Sequence, residues 1–469
     1  MTDHQPSKKS SDLEVHSRWG LRGRMVSNTG MLGGARLLSA LMGVATLILA
    51  ARILSDNVAF GTLLFVHAYM LFFSEIASFQ IWQTLIRFGA DELNSRNANR
   101  LGSLIKTGLA IDFIAAILAF LLAVSLFNFF IWAQVLMGET PQLSGGEALN
   151  REQLKIYVFA YCTVILFRQI NVAIGVFRLF DKFFVLAIRA LVMPTIRLAG
   201  VLIAGLQGWG LTELLIIWFI ASLASYLVLQ GFAALELRKR RLWSAVRRAE
   251  FCRTKAFPGL YAFIIKTNID STLSATKANF PSLAIMLVFG PALLAVYKIA
   301  EEISRFLSRA VTLFNQVLFP EVSRMAANLD MKALARVTAR AALGIGIFGF
   351  GLSTVVLIFG VDLVKGAFDA SFEDAPLLAV ILLVASSLVG IATPFYTALY
   401  VLLRPGSAIW VRIIGLTSFI VLFFILSDKF GLFAIGWAAI FGAIIEIAAV
   451  VILTQRLLKQ NLKASTPQD

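Results

Sequence analysis

Long apolar runs alternate with short polar interruptions from about residue 29 to residue 458. A helix needs about 20 predominantly apolar residues to cross the hydrocarbon layer. On that scale the chain predicts twelve spans, six at 29–53, 59–83, 104–136, 154–177, 184–206 and 211–235, and six at 260–289, 292–319, 341–361, 377–403, 408–426 and 432–455. The basic stretch 236–257 separates the two sets. This is the plan of a two-lobe transporter with a structural repeat. The expected fold is therefore all-α: a polytopic membrane protein with about 12 transmembrane helices in two pseudo-symmetric six-helix lobes, 29–235 and 258–458. Residues 1–28 and 459–469 read as tails. The leader is polar and basic, amphipathic near 19–25, and is followed by many spans, so it is expected to stay on the chain and not be cleaved as a signal.

Composition agrees with this pattern. Hydrophobic residues make up 59% of the chain and charged residues 15%, and mean hydropathy is +0.82. Soluble domains lie nearer half apolar and a quarter charged, so a cytosolic enzyme, a disordered chain and a disulfide scaffold are all excluded. Phe occurs 39 times against 8 Tyr and 8 Trp, aromatic mass that needs no hydrogen-bond partner and suits a lipid-facing surface.

The 42 Lys+Arg against 27 Asp+Glu give a formal charge of +15, and their placement adds direction. One set of loops holds nearly all of the loop cations, including the run Arg238–Arg241, whereas the opposite set offers little beyond Arg151, Lys155, Lys365 and Lys429. By the positive-inside rule both termini are expected in the cytoplasm. Attraction of this charge to anionic lipid or to an anionic substrate is the second reading, and the two are compatible.

Motifs for catalysis or for an intrinsic motor are missing. There is no Walker A loop, HExxH, nucleophile elbow or paired-Cys spacing, and the histidines are His4, His16 and His67. Cys162 lies in an apolar run and Cys252 in a basic segment, so no disulfide is expected. The longest loops, 137–153 and 362–376, are too short to fold as domains. The expectation is a protein that is not an enzyme and carries no cofactor and no metal. The run RKRRLWSAVRR lies directly between two spans, which favours a lipid-headgroup anchor and interlobe linker over a nucleic-acid patch.

Ionisable groups inside spans cost about 2.5–3.5 kcal/mol each even on lenient scales, so they face cavities or partners. Arg52 and Arg412 lie near span ends and can snorkel; Arg168 and Arg189 lie somewhat deeper. Arg36, Arg197, Lys266 and Lys277 fall further inside. In the seventh span Lys266, Asp270 and Lys277 share one helical stripe, broadened by Thr267, Asn268, Ser271 and Thr272. Asn279 and Pro281 are expected to kink that helix beside a cavity. In the eighth span Lys298, Glu301, Glu302, Arg305 and Arg309 share a face, with Lys298–Glu302 and Glu301–Arg305 spaced as i,i+4 pairs. Glu75, Asp112 and Glu446 read as isolated acids, and His67 as a satisfied buried histidine.

Several segments resemble polysaccharide transporters, the oligosaccharide (O-antigen) flippase family of the multidrug/oligosaccharidyl-lipid/polysaccharide exporter superfamily. They are the opening GARLLSALMGVATLILAARILSDNVAFGTLLFVHA with Arg52, Leu54, Phe60 and Gly61, then GVFRLFDKF with Arg178, Asp181 and Phe183. FGPALLAVYKIAEEISRF with Tyr297 and Ala300, and LFPEVSRM with Pro320 and Ser323, follow in order; Val296 stands where Gly is usual. The resemblance runs over about 34–458. It implies two six-helix lobes around a central cationic cavity, in a flippase of a bacterial cytoplasmic membrane whose substrate is a polyprenyl-diphosphate-linked oligosaccharide, moved to the outer leaflet by alternating access. Its partners would be membrane lipids, a glycan polymerase and glycosyltransferases, and no nucleic acid. Arg36, Arg197, Lys266 and Lys277 are the expected diphosphate contacts, with Lys298 and Arg305 secondary; Asp270, Glu301 and Glu302 would couple export to an ion gradient or balance charge. A multidrug/cation antiporter and a membrane glycan polymerase or ligase are the alternatives.

Overall fold

The structure is a computed structural model, and it describes residues 18–76, 78–95, 97–136, 151–252, 257–327, 331–368, 372–401 and 405–465. Every element among them is a helix. The first half comprises α1 (Arg18–Leu54), α2 (Asn57–Ile76), α3 (Ile81–Asn94), α4 (Ala98–Leu136), α5 (Arg151–Cys162), α6 (Asn171–Leu179), α7 (Phe183–Gln207) and α8 (Leu211–Lys239). A short α9 (Leu242–Arg248) leads into the second half: α10 (Leu260–Ala327), α11 (Met331–Ala367), α12 (Ala375–Val401), α13 (Pro405–Phe430) and α14 (Ala434–Ser465).

Among the described residues ten stretches are long and apolar enough to cross a membrane. Two of these, Leu260–Thr312 with 53 residues and Ile409–Leu457 with 49 residues, are far longer than the ~20 residues of a single pass. Each contains a glycine in the left-handed region, Gly290 at φ 78° and Gly431 at φ 53°, a backbone state that glycine adopts without steric cost. Counting each as two passes gives the expected twelve. The break between the seventh and eighth spans is therefore at Gly290, where the backbone leaves helical geometry. The helix continues through Asn279 and Pro281, where an interruption was expected.

Two first-half spans are broken where continuous helices were expected. The second span ends at Ile76 and resumes at Ile81 through a left-handed Gln80, at φ 45°. The fourth passes from α5 through a 3₁₀ stretch, Thr163–Phe167, to α6. Non-helical backbone at membrane depth survives only where protein supplies partners, and the two breaks supply them to each other. Arg168 pairs with Glu75 and donates to Ser74 O at 2.6 Å. Asn171 Nδ2 donates to Ser78 Oγ at 3.2 Å and Asp112 Oδ1 at 3.1 Å. Glu75 and Asp112 are thus engaged and not isolated.

The basic linker is docked on the first lobe. Lys106 Nζ donates to Ala249 O at 2.7 Å, Ser103 Oγ to Glu250 O at 2.6 Å, and Cys252 N to Thr107 Oγ1 at 2.8 Å.

Contact between the lobes is concentrated on α2 and α10. Gly61 lies so close to Pro291 that a Cβ there would meet its carbonyl oxygen at 1.8 Å. Further along α2, Thr272 Oγ1 donates to Ile76 O at 3.0 Å, and Asn268 and Ser271 each donate to Ser78 O at 3.2 Å. The polar stripe of the seventh span is therefore a seam that satisfies the broken end of α2. Near the Gly61 end, Arg52 Nε and Nη2 reach across to Ala367 O and Gly366 O, each at 2.9 Å. Arg52 closes that end between the lobes in place of the snorkelling expected of it.

Candidate functional site

Away from the α2–α10 seam the lobes part around a cavity of about 580 Å³, lined by α1, α2, α7 and α8 on one side and α10 on the other. α1 packs on α7 within its own lobe. Leu37, 60% exposed, lines the cavity, so the space opens along the α1 edge.

Among the described residues, five cationic side chains line it, Arg36, Arg197, Lys298, Arg305 and Arg309, against two carboxylates, Glu301 and Glu302, an excess of three positive charges. The distribution is uneven. On α10 the charges form a ladder: Lys298 Nζ to Glu301 at 2.8 Å, Arg305 Nη2 to Glu301 at 3.0 Å, Arg305 Nη1 to Glu302 at 3.4 Å, and Arg309 Nη2 to Glu302 at 2.7 Å. Each carboxylate bridges two cations, so Lys298 pairs with Glu301 and not with the expected Glu302. On the opposite wall the two arginines face the cavity without a carboxylate among the lining residues of their own lobe. Arg36 is exposed on α1.

Arg197 reaches the cavity from α7, three residues after the intrahelical Pro194. Its Nη2 lies 3.1 Å from His67 Nε2 and 3.3 Å from Ser222 Oγ, and its guanidinium carbon is 5.2 Å from the Trp218 ring centroid. Its Nε is buried with no partner. His67 is the partly open position in an otherwise buried stretch of α2, and its Nδ1 is 2.8 Å from Tyr161 Oη.

The structure thus brings together Arg36, Arg197, Lys298, Arg305, Glu301 and Glu302. Lys266 and Lys277 are not among the lining residues. Lys266 is exposed near the start of α10. Lys277 pairs with Glu446 on α14, whose other carboxylate oxygen accepts from Tyr396 Oη at 2.8 Å. An ammonium on the seventh span meets its neutralising acid 169 positions away, which local spacing does not reveal. The side chain of Asp270 lies outside the described residues. Arg412, also expected at a span end, donates to Ser274 Oγ at 2.9 Å. Sequence reasoning missed His67 and Arg309 as cavity groups. Arg309 was legible as the last rung of the α10 stripe; His67 carries no local signal. Among the described residues no group of His, Cys, Asp and Glu has the makings of a metal site, and the two cysteines are free and buried.

The sequence matches the family described as "Polysaccharide biosynthesis protein" over residues 25–326. A relative in Escherichia coli (strain K12), "Inner membrane protein YghQ", is 24% identical over 351 residues, 75% of this chain and 94% of that protein. The fold is similar to a multidrug resistance MATE family transporter of the MOP superfamily in its inward-facing conformation, with TM-score 0.71 and 12% identity over 92% of this chain and 100% of that one. It is also similar to the lipid II flippase MurJ in an inward closed conformation, with TM-score 0.59 and 14% identity over 93% of each chain.

Proposed function

Because the chain belongs to the polysaccharide biosynthesis protein family, we propose that it is a flippase that carries a lipid-diphosphate-linked oligosaccharide from the inner to the outer leaflet of a bacterial cytoplasmic membrane. The observation that carries this reading is the cavity's excess of three positive charges. A diphosphate is too costly to pass bare through a low-dielectric slab. Guanidinium and ammonium groups supply the short, charge-assisted hydrogen bonds that replace its water. Arg36 and Arg197 are the primary contacts, since their own wall offers no carboxylate, and Lys298 and Arg305 reach the same space from α10. The opening along α1 lets the lipid tail stay in the bilayer while the headgroup occupies the cavity.

Loop charge supports an orientation with the Arg36 end of the cavity toward the cytoplasm, the Arg52 closure toward the outside and both termini cytoplasmic. Alternating access then requires the Arg52 closure to open as the Arg36 end shuts. Glu301 and Glu302 hold the remaining cations in place and are the candidates for coupling to an ion gradient. Lys266 and Lys277 take no part in this scheme, because the one is off the cavity and the other is engaged with Glu446. The MATE-like fold also fits a drug/cation antiporter, but a cationic cavity repels that cargo. Glycosyltransferases and a glycan polymerase would supply and consume a cargo of this class.

The test is surface polysaccharide at matched protein levels in the Arg36→Gln and Arg197→Gln variants. Loss of a charged hydrogen bond of about 1.5–3 kcal/mol corresponds to about a 10- to 150-fold drop. Unchanged export in both variants would overturn the assignment.

A further inference from the structure

Arg197 does not enter the cavity freely; it is held against the wall by a histidine. Arg197 Nη2 sits 3.1 Å from His67 Nε2 and 3.3 Å from Nδ1. Near-equal distances to the two ring nitrogens place the guanidinium over the face of the imidazole, where a neutral ring attracts it as a π surface. Tyr161 Oη shares an edge-on hydrogen bond with Nδ1 at 2.8 Å. A neutral imidazole suits both contacts. Tyr161 in turn lies 3.4 Å from Ser222 Oγ, which also receives Arg197 Nη2 at 3.3 Å, so the four groups close a ring of contacts drawn from α2, α5, α7 and α8.

The other charged groups acting on the imidazole are Lys298 and Arg305, across the cavity on α10, both positive. Glu301 lies between those two and is committed to them. A second ring proton therefore places two positive charges face to face, and among the described lining residues the carboxylates, Glu301 and Glu302, are engaged with the α10 cations.

We propose that His67 is a proton-operated positioning residue for Arg197: the neutral ring retains the guanidinium on the wall, and protonation frees it to reach an anion in the cavity. The inference rests on the reading of the cavity as an anion site and adds to it the element that gates its strongest contact. His67 faces the cavity and so is reachable by protons from the side to which the cavity opens. Each cycle then ties Arg197's availability to the protonation of His67.

The test uses the full chain in nanodiscs and a soluble diphosphate diester, UDP-glucose, whose phosphates keep constant charge between about pH 5.5 and 8. Wild-type affinity is expected to tighten about tenfold from pH 8 to 5.5. His67→Gln, which offers Arg197 an acceptor that does not titrate, should be flat across the range. Arg197→Gln should be flat as well, because the histidine acts through the arginine. Retained pH dependence in Arg197→Gln would overturn the proposal by showing that the ring merely adds charge, and retained dependence in His67→Gln would overturn it outright.

A second measurement reads the ring directly. With His4 and His16 replaced by Gln, ¹⁵N NMR of the remaining histidine should report a neutral ring at pH 8 and a doubly protonated ring at pH 5.5 with UDP-glucose bound. A ring still neutral at pH 5.5 in the bound state overturns the proposal. Absence of UDP-glucose binding by wild type at every pH overturns the anion cavity, and the proposal with it.

Discussion

Gly61 gives the sharpest test of how the lobes move. A methyl group there would lie 1.8 Å from Pro291 O and 2.5 Å from its carbonyl carbon. A tolerable carbon–oxygen contact is about 3.3 Å, so Gly61→Ala demands a separation of about 1.5 Å. Both opposing atoms are backbone, and no rotamer change relieves the overlap. The contact is between lobes and not within one, so the relief available is displacement of one lobe against the other. Overpacking of this kind costs about 1–3 kcal/mol, equivalent to about a 5- to 150-fold shift between closed and open arrangements of the Arg52 end. Spin labels at the exposed Gln207 and Glu373, one in each lobe beside that end, report it as a distance distribution by pulsed EPR. Gly61→Ala should add a longer-distance population, and Gly61→Val should enlarge it. Gly102 supplies the contrast: its Cβ would meet the Ala245 backbone at 2.8 Å, inside the first lobe and its docked linker. Gly102→Ala should lower the melting temperature and leave the Gln207–Glu373 distance alone. If Gly61→Val left that distance unchanged in a folded protein, the seam would not be the contact that sets the lobe arrangement.

Further outcomes follow from the ion pairs. Arg52→Gln removes two charged hydrogen bonds to the end of α11, and, being exposed, should cost about 1 kcal/mol and lengthen the same EPR distance. Lys277→Met leaves Glu446 buried and uncompensated, with a loss of about 3 kcal/mol, the low end of the range for a broken buried pair because Lys277 is 39% exposed; adding Glu446→Gln should restore much of the melting temperature. Glu301→Gln releases Lys298 and Arg305 from their shared carboxylate, so UDP-glucose affinity should rise severalfold and become more salt-sensitive.

The twelve spans and the two-lobe division were legible because apolar length is a local quantity, and the structure departs from those boundaries mainly at the broken helices. The breaks were hidden for a physical reason. Ile76–Ile81 and Cys162–Asn171 are tolerated because Arg168, Asn171 and Asp112 satisfy them from other helices, and apolar periodicity does not register a partner 60 to 93 positions away. The α10 ladder was readable because i,i+3 and i,i+4 spacing places its members side by side. Lys266 and Lys277 looked equivalent to Arg36 and Arg197 by depth alone, and what separates them is the exposure of Lys266 and the Glu446 partner that α14 brings to Lys277. Thr272, Ser271 and Asn268 likewise read as a wet face until α2 was seen to end against them.

The contact between α2 and α10 behaves like the spine of a book, with α1 and the far limb of α10 as the free page edges. A joint of that shape moves least at the spine and most at the fore-edge. Whatever sits between the pages is gripped only where it enters, and the remainder trails outside. If the chain is the flippase proposed for it, a compartment of about 580 Å³ limits the anchor of the cargo and not its length, so one hinge would serve glycans of very different size.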